Sequence, residues 1–175
     1  MQRILVIGSG GAGKSTVARE IASRLRLPLI HLDSLYWQPG WRATEKTAWE
    51  GVVRELIAGP SWVMDGNYGG TLDIRIERCD TVVFLDAPRV VCLWRVLKRR
   101  LYFHSRRRPD IAPGCPEQLT WEFLRWIWTY PGRRRPGILR RLADLRADQR
   151  AVVLSSKRQV RRFLDGLRAA PADEL

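Results

Sequence analysis

Residues 8–15 read GSGGAGKS, a stretch that fits the pattern G-x-x-x-x-G-K-[S/T]. An apolar run typical of a β-strand precedes it at residues 3–7, and a run typical of a helix follows at residues 16–25. Glycines allow backbone N–H groups to turn toward a phosphate chain, and a helix N-terminus adds positive potential. The stretch therefore predicts a phosphate-binding loop, or P-loop, in the strand–loop–helix context that the motif requires.

The side chains at the end of this loop have separate predicted tasks. The ammonium of Lys14 can reach the outer phosphates, and the hydroxyl of Ser15 can ligate Mg²⁺. These features predict that the chain binds ATP or GTP together with Mg²⁺. The residues predicted to bind the nucleotide are Gly8, Gly10, Gly11, Ala12, Gly13, Lys14, Ser15 and Thr16.

The length and composition favour one cytoplasmic α/β domain. A chain of 175 residues is long enough for one compact core and too short for two full domains. No apolar run approaches the roughly 20 residues that span a bilayer, and residues 4–7 are too few for a signal peptide. Three widely spaced cysteines without a C-x-x-C pair indicate neither a disulfide framework nor a zinc site.

The net charge of +13 is concentrated in one segment. Residues 89–141 carry fourteen basic and three acidic side chains, whereas residues 1–88 carry ten of each. Such a segment can be a phosphate clamp that closes over a nucleotide, a surface that binds nucleic acid, or a solvated basic face.

Apolar runs and turn residues divide the chain into strands and helices. Five short apolar strands that alternate with helices predict a parallel sheet covered by helices on both faces. Thr44 is the predicted N-cap of one helix, and the Pro-Gly pair at residues 131–132 is predicted to end another. The predicted strands span residues 3–7, 27–32, 61–65, 81–86 and 151–154. The predicted helices span residues 16–25, 44–58, 71–78, 88–103, 116–130, 136–146 and 156–168, with a loop at 104–115.

The order of motifs resembles the adenylate-kinase-like P-loop kinases, and especially the subgroup named DNA topology modulation proteins. The resemblance covers nearly the whole chain. It implies a three-layer αβα fold with strand order 2-3-1-4-5, an acceptor-binding segment at residues 33–60, a basic lid at residues 103–136, and a monomer or homodimer. Besides the P-loop, the motifs that carry it are Asp33, DGNY at 65–68, LDAP at 85–88, and the arginines of 95–100. The stretches shared with the subgroup are residues 30–33, 65–68 and 108–128.

Within this resemblance, Arg95 and Arg99 fall where nucleotide kinases place the arginine that stacks on adenine and the one that reaches the transferring phosphoryl group. Their spacing of four residues puts both on one face of a helix, although two solvated surface arginines would show the same spacing. Among the arginines of the lid we favour Arg133 and Arg135, because a helix break at residues 131–132 would let them swing over the site. The other candidates there are Arg106, Arg107, Arg108 and Arg134.

Two aspartates follow predicted strands. Asp65 would lie beside the P-loop strand, where its carboxylate can hold a Mg²⁺-bound water, or it caps the turn that follows. Asp33 would lie at the carboxyl edge of the sheet, where ligands bind. There it can orient an acceptor hydroxyl and take its proton, or it forms a local turn at the next residue.

The acceptor side departs from adenylate kinases. Those enzymes grip the acceptor phosphate with two arginines, and Tyr36 and Asn67 stand near the corresponding positions here. A nucleoside monophosphate would need Arg42 or Arg75 to take over. Aromatic residues around Asp33 favour a neutral hydroxyl compound or a stacked base instead. The predicted substrate residues are Asp33, Tyr36, Asn67 and Arg75.

Three functions are consistent with these features. One is a kinase that transfers the γ-phosphoryl group of MgATP to a small molecule, with Lys14, Asp33 and an arginine as catalytic residues. The second is a nucleic-acid-binding NTPase that affects DNA topology or gene expression, although the chain carries no recognisable nucleic-acid-binding module. The third is a protein that binds ATP without transferring phosphate and uses the lid arginines to bind a partner protein.

Overall fold

The computed structural model describes residues 1–102, 111–116 and 118–167. Its strands are β1 Arg3–Gly8, β2 Leu29–His31, β3 Trp37–Gln38, β4 Arg42–Ala43, β5 Trp62–Asp65, β6 Thr81–Leu85 and β7 Arg150–Leu154. The centre is a parallel five-stranded sheet in the order β2-β5-β1-β6-β7, and β3 and β4 form a separate antiparallel hairpin. Counted along the chain within the five-stranded sheet, the order is 2-3-1-4-5, which confirms the predicted topology.

Helices cover both faces of the sheet, because each central strand is apolar on both sides. Leu5 and Ile7 of β1 belong to one core cluster, whereas Ile4 and Val6 belong to the other. The helices are α1 Lys14–Leu25, α2 Leu32–Tyr36, α3 Lys46–Ala58, α4 Leu72–Arg78, α5 Arg89–Tyr102, α6 Trp121–Arg133, α7 Arg135–Ala143 and α8 Lys157–Asp165. In the part of the chain that the structure describes, no helix is both long and apolar enough to cross a bilayer.

The segment after β2 differs from the prediction. The strand stops at His31, and Asp33 lies in the first turn of the short helix α2 instead of ending a strand. The N-cap of α3 is Glu45 and not Thr44, because the Glu45 carboxylate accepts hydrogen bonds from the N–H groups of Thr47 and Ala48. The hydroxyl of Thr44 donates instead to the carbonyl of Tyr36 at 2.5 Å.

Helix α6 also differs from the prediction. It begins at Trp121 after the N-cap Thr120, and it continues through Pro131 to Arg133. The predicted break at residues 131–132 is therefore wrong. The helix survives the missing N–H of Pro131 because Ile127, one turn earlier, and Tyr130, the preceding residue, are buried against the body of the protein.

Candidate functional site

The P-loop joins β1 to α1 and adopts the backbone conformation that its glycines allow. Gly8, Gly11 and Gly13 have φ angles of +148°, +75° and +100°, in the region that side chains disfavour. A Cβ atom on Gly11 would lie 2.3 Å from the carbonyl oxygen of Cys92 in α5, so only glycine fits there. The loop is thus packed directly against α5.

Lys14 begins α1 and points back over this loop. Its Nζ atom donates a hydrogen bond to the carbonyl oxygen of Ser9 at 3.0 Å. Burial lowers the pKa of Lys14 below its usual value, and the negative charges of Asp33 and Asp65 oppose that shift. The ammonium therefore lies within electrostatic reach of both predicted carboxylates.

A cleft of about 840 Å³ opens above the P-loop. It brings together most residues that the sequence predicts for nucleotide, metal and acceptor. The predicted residues that line it are Gly10, Gly11, Gly13, Lys14, Ser15, Thr16, Asp33, Asp65, Asn67, Arg95 and Arg99. The predicted residues outside its lining are Gly8, Ala12, Tyr36, Arg75, Arg133 and Arg135.

Asp65 ends β5 beside the P-loop strand and is 5% exposed. Its Oδ1 atom lies 2.6 Å from Nδ1 of His31, the last residue of β2. Sequence analysis missed this partner. The sequence did contain a signal for it. His31 lies at the carboxyl end of the predicted strand 27–32, which is adjacent to the predicted strand 61–65. The carboxyl ends of neighbouring parallel strands lie side by side.

The side chain of Asn67 is bound to the P-loop itself. Its Nδ2 atom donates to the carbonyl oxygen of Gly8 at 2.7 Å, and its Oδ1 atom accepts from the N–H of Gly8 at 3.1 Å. Asn67 was predicted to contact the acceptor, but both ends of its amide are used on Gly8. Its role in this structure is to hold the start of the P-loop.

Arg75 is fully buried, with 0% of its surface exposed. Its guanidinium donates to the backbone carbonyls of Gly66 (3.0 Å), Tyr68 (3.0 Å), Asn67 and Thr71. The prediction that Arg75 contacts the acceptor is wrong, because its buried guanidinium is used on backbone carbonyls and stabilises the loop between β5 and α4. Burial lowers the pKa of Arg75 to about 10.

Asp33 lines the cleft and accepts a hydrogen bond from the hydroxyl of Tyr68 at 2.5 Å. Burial and the neighbouring Asp33 raise the pKa of Tyr68. Tyr36 was predicted to contact substrate, but it lies behind the cleft wall. Its ring centroid is 4.6 Å from that of Tyr68 and 5.0 Å from that of Trp49, so it supports the wall through packing.

The basic residues are divided between the cleft and structural contacts. Arg95 donates through Nη1 to the carbonyl oxygen of Ala12 at 2.9 Å, and Arg99 lines the cleft one turn further along α5.

Arg135, predicted to close over the nucleotide, instead donates through Nε to both carboxylate oxygens of Asp86, at 3.0 and 2.9 Å. Arg133 is exposed and lies outside the cleft lining. Its predicted movement depends on a helix break at residues 131–132, and α6 is continuous there. The predicted lid arginines 106–108 lie outside the described residues.

The residues of the cleft fit a nucleotide with Mg²⁺. The positive φ angles of Gly11 and Gly13, which line the cleft, shape a backbone cradle. No group of three or more His, Cys, Asp or Glu side chains is arranged to hold a metal within residues 1–102, 111–116 and 118–167. Mg²⁺ held by phosphates, water, Ser15 and Asp65 requires no such group.

Sequence comparison finds kinases, although no family profile matches the chain. An adenylate kinase from Moorella thermoacetica is 27% identical over an alignment of 147 residues, and the match covers 64% of this chain and 68% of that protein. A shikimate kinase from Rhodococcus jostii is 28% identical over an alignment of 162 residues, and the match covers 82% of this chain and 86% of that protein.

Comparison with solved structures finds kinases whose fold is similar to the fold of this chain. Shikimate kinase from Acinetobacter baumannii, in complex with shikimate, has a TM-score of 0.56 at 20% identity and covers 94% of this chain and 89% of its own. A sugar kinase from Janibacter sp. HTCC2649 has a TM-score of 0.53 at 20% identity and covers 98% of this chain and 97% of its own. The chain is therefore similar in sequence to an adenylate kinase and a shikimate kinase, and it shares the fold of these two solved kinases.

Proposed function

We propose that this protein is a phosphotransferase that moves the γ-phosphoryl group of MgATP to a hydroxyl group of a small molecule. One observation carries the proposal: Lys14, Asp65 and Asp33 line the same cleft. A lysine that can bind phosphate, a carboxylate that can hold Mg²⁺ and a carboxylate that can face an acceptor thus share one cleft.

The donor half of the site is formed by the P-loop and α5. The backbone of residues 8–13 would surround the phosphates, with Lys14 near the outer ones. Ser15 and Asp65 would hold Mg²⁺, which neutralises phosphate charge when bound. Arg95 and Arg99 project from one helix toward the P-loop, where a guanidinium can stack on a base or bind phosphate oxygens.

Asp33 is the residue we assign to the acceptor. The acceptor oxygen forms the new bond to the γ-phosphorus, the bond from that phosphorus to the bridging oxygen of ADP breaks, and the hydroxyl proton passes to the Asp33 carboxylate. Transfer of this kind depends mainly on positioning and on stabilisation of negative charge, which Lys14 and Arg99 would supply.

The proposal is tested by ATP binding and by acceptor-dependent formation of ADP. We expect Lys14→Ala to weaken ATP binding strongly, and Asp33→Asn to keep ATP binding while lowering kcat by at least about 100-fold. Asp73→Asn is the matched control, because Asp73 pairs with Arg141 on the surface. ATP affinity that is the same in Lys14→Ala as in the parent would refute the proposal.

A nucleic-acid-binding NTPase that affects DNA topology is the second candidate function. The observation in its favour is the charge of α5, which contains five basic residues and no acidic one. Duplex binding by this helix would weaken steeply with salt, because each phosphate contact releases counterions. A salt titration of DNA binding by the parent and by Arg100→Ala distinguishes the two functions.

A further inference from the structure

Gly10 of the P-loop is covered by the side chain of Phe123. Unlike Gly8, Gly11 and Gly13, Gly10 does not have a positive φ angle, so its backbone conformation does not require glycine. Contact with α6 explains the glycine instead, because a Cβ atom on Gly10 would lie 2.7 Å from Cζ and 2.9 Å from Cε2 of Phe123. The ring of Phe123 therefore lies directly on the loop.

Helix α6 holds the ring of Phe123 in this position. The backbone N–H of Phe123 donates to Oγ1 of the N-cap Thr120 at 3.2 Å. The ring stacks on Trp126 with centroids 6.1 Å apart and an interplanar angle of 11°, and Trp126 meets Tyr130 edge to face at 5.2 Å. Tyr130 is buried. Phe123 is thus the end of a row of aromatic side chains that is anchored in the core.

The peptide bond between Ser9 and Gly10 brings the ring close to Lys14. Nζ of Lys14 donates to the carbonyl oxygen of Ser9, and this carbonyl belongs to that same peptide bond. Lys14 and Phe123 both line the cleft. The ammonium that would bind the outer phosphates and the ring of Phe123 therefore contact neighbouring atoms of one loop.

Water competes with the acceptor in a site of this kind. Its oxygen can form the new bond to the γ-phosphorus while the bond to the bridging oxygen of ADP breaks, which yields ADP, inorganic phosphate and a proton. An apolar ring offers water no hydrogen-bond partner, so water beside such a ring is disfavoured.

We infer that Phe123 excludes water from the γ-phosphoryl group and so favours transfer to the acceptor over hydrolysis. The inference rests on the proposed function and adds a selectivity role for α6. Phe123 is a positioning residue, because it makes and breaks no bond and acts by occupying the space over Gly10.

The first test measures the release of inorganic phosphate by the full chain at saturating MgATP, with no acceptor present. We expect Phe123→Ala to raise this rate at least about fivefold and to keep ATP affinity within about twofold of the parent value. Phe123→Leu should stay close to the parent, because leucine keeps apolar volume over Gly10. Adding Lys14→Ala to Phe123→Ala should remove the extra hydrolysis, which assigns that hydrolysis to this cleft.

Trp121→Ala is the matched control for this test. Trp121 lies on the same helix, is 78% exposed and is outside the cleft lining. Its replacement removes an aromatic ring from α6 without opening the space over Gly10, so the rate of phosphate release should equal that of the parent.

The second test measures the contact itself, without nucleotide. Gly10→Ala should lower the urea concentration at the midpoint of unfolding, because the new methyl group meets the ring of Phe123. In the Phe123→Ala background the same substitution should shift the midpoint much less, since the ring is gone. This readout depends on the packing of α6 against the P-loop and not on activity.

Three results would overturn the inference: phosphate release by Phe123→Ala that does not exceed that of the parent, an equal rise in Trp121→Ala, or equal midpoint shifts for Gly10→Ala in the two backgrounds. Each of them is compatible with ATP binding that depends on Lys14. Failure of the proposed function is separate, because it appears as ATP affinity that is the same in Lys14→Ala as in the parent.

Discussion

His31 and Asp65 end adjacent parallel strands, and their side chains meet with Nδ1 of His31 2.6 Å from Oδ1 of Asp65. Both side chains are largely buried, with exposed fractions of 15% and 6%. The contact fixes one oxygen of the carboxylate that we assign to Mg²⁺. His31 is thus a positioning residue for Asp65.

We predict that His31→Leu raises the Mg²⁺ concentration needed for half-maximal phosphoryl transfer several-fold. It removes the partner of a buried carboxylate, so the free energy of unfolding should also fall by about 1–3 kcal/mol. His31→Asn should recover much of the Mg²⁺ response, because its amide nitrogen can occupy nearly the position of Nδ1. A Mg²⁺ titration of all three proteins is the measurement, and an unchanged midpoint in His31→Leu would contradict the positioning role.

Two glycines with the same φ predict different outcomes on substitution by alanine. Gly11 and Gly40 have φ angles of +75° and +76°, but a Cβ atom on Gly40 would meet nothing within 4 Å. Gly40→Ala should therefore cost only backbone strain, about 1–2 kcal/mol, and keep ATP binding. Gly11→Ala should abolish ATP binding, because its Cβ atom would displace the loop from Cys92. Urea denaturation and ATP titration measure both effects, and normal ATP affinity in Gly11→Ala would be inconsistent with this packing.

Asn67→Asp tests how the start of the P-loop is held. The substitution puts a carboxylate oxygen opposite the carbonyl oxygen of Gly8, where the amide now donates at 2.7 Å. We expect a loss of about 1–3 kcal/mol in the free energy of unfolding and weaker ATP binding. Gln38→Glu makes the same chemical change on an exposed residue and serves as the control. Equal stability of the two variants would show that the Asn67 contacts contribute nothing.

The hydrogen bonds to the Glu45 carboxylate should make the stability of the protein depend on pH. The Thr47 hydroxyl and the backbone N–H groups of Ala48 and Thr47 hydrogen-bond to its carboxylate and lower the pKa of Glu45 to about 2, from a usual value of 4.5. A lowered folded-state pKa gives a stabilisation that is present above pH 4.5 and is lost as the pH falls toward 2. Glu45→Gln should therefore be less stable than the parent at neutral pH, with a difference that shrinks on acidification. Thermal unfolding at several pH values measures it, and a constant difference would exclude this cap.

The sequence was sufficient to predict the sheet and the position of the P-loop within it. The P-loop motif fixes the β1–α1 junction, and the carboxyl ends of parallel strands meet at one edge, so Asp65 and Asp33 were expected near Lys14. Both aspartates do line the cleft with it. The exact element that carries Asp33 was not predictable, because the apolar residues around it suit a strand and a helix equally.

The parts that sequence analysis missed depend on tertiary contacts. The sequence predicts that Arg75 contacts the acceptor, and only the folded loop shows the four carbonyls to which its guanidinium donates. Pro131 reads as a helix end, but burial of Ile127 and Tyr130 outweighs the lost hydrogen bond. Long-range packing, which local patterns do not record, determined both outcomes.

The most direct test of the central claim follows the γ-phosphoryl group itself. ATP that is radiolabelled in this group is incubated with Mg²⁺, the protein and a panel of small hydroxyl compounds, and the products are separated by chromatography. We predict that the label moves to an organic acceptor with the parent protein and stays in ATP with Lys14→Ala. Label that appears only as inorganic phosphate, or transfer that is unchanged in Lys14→Ala, would contradict the account.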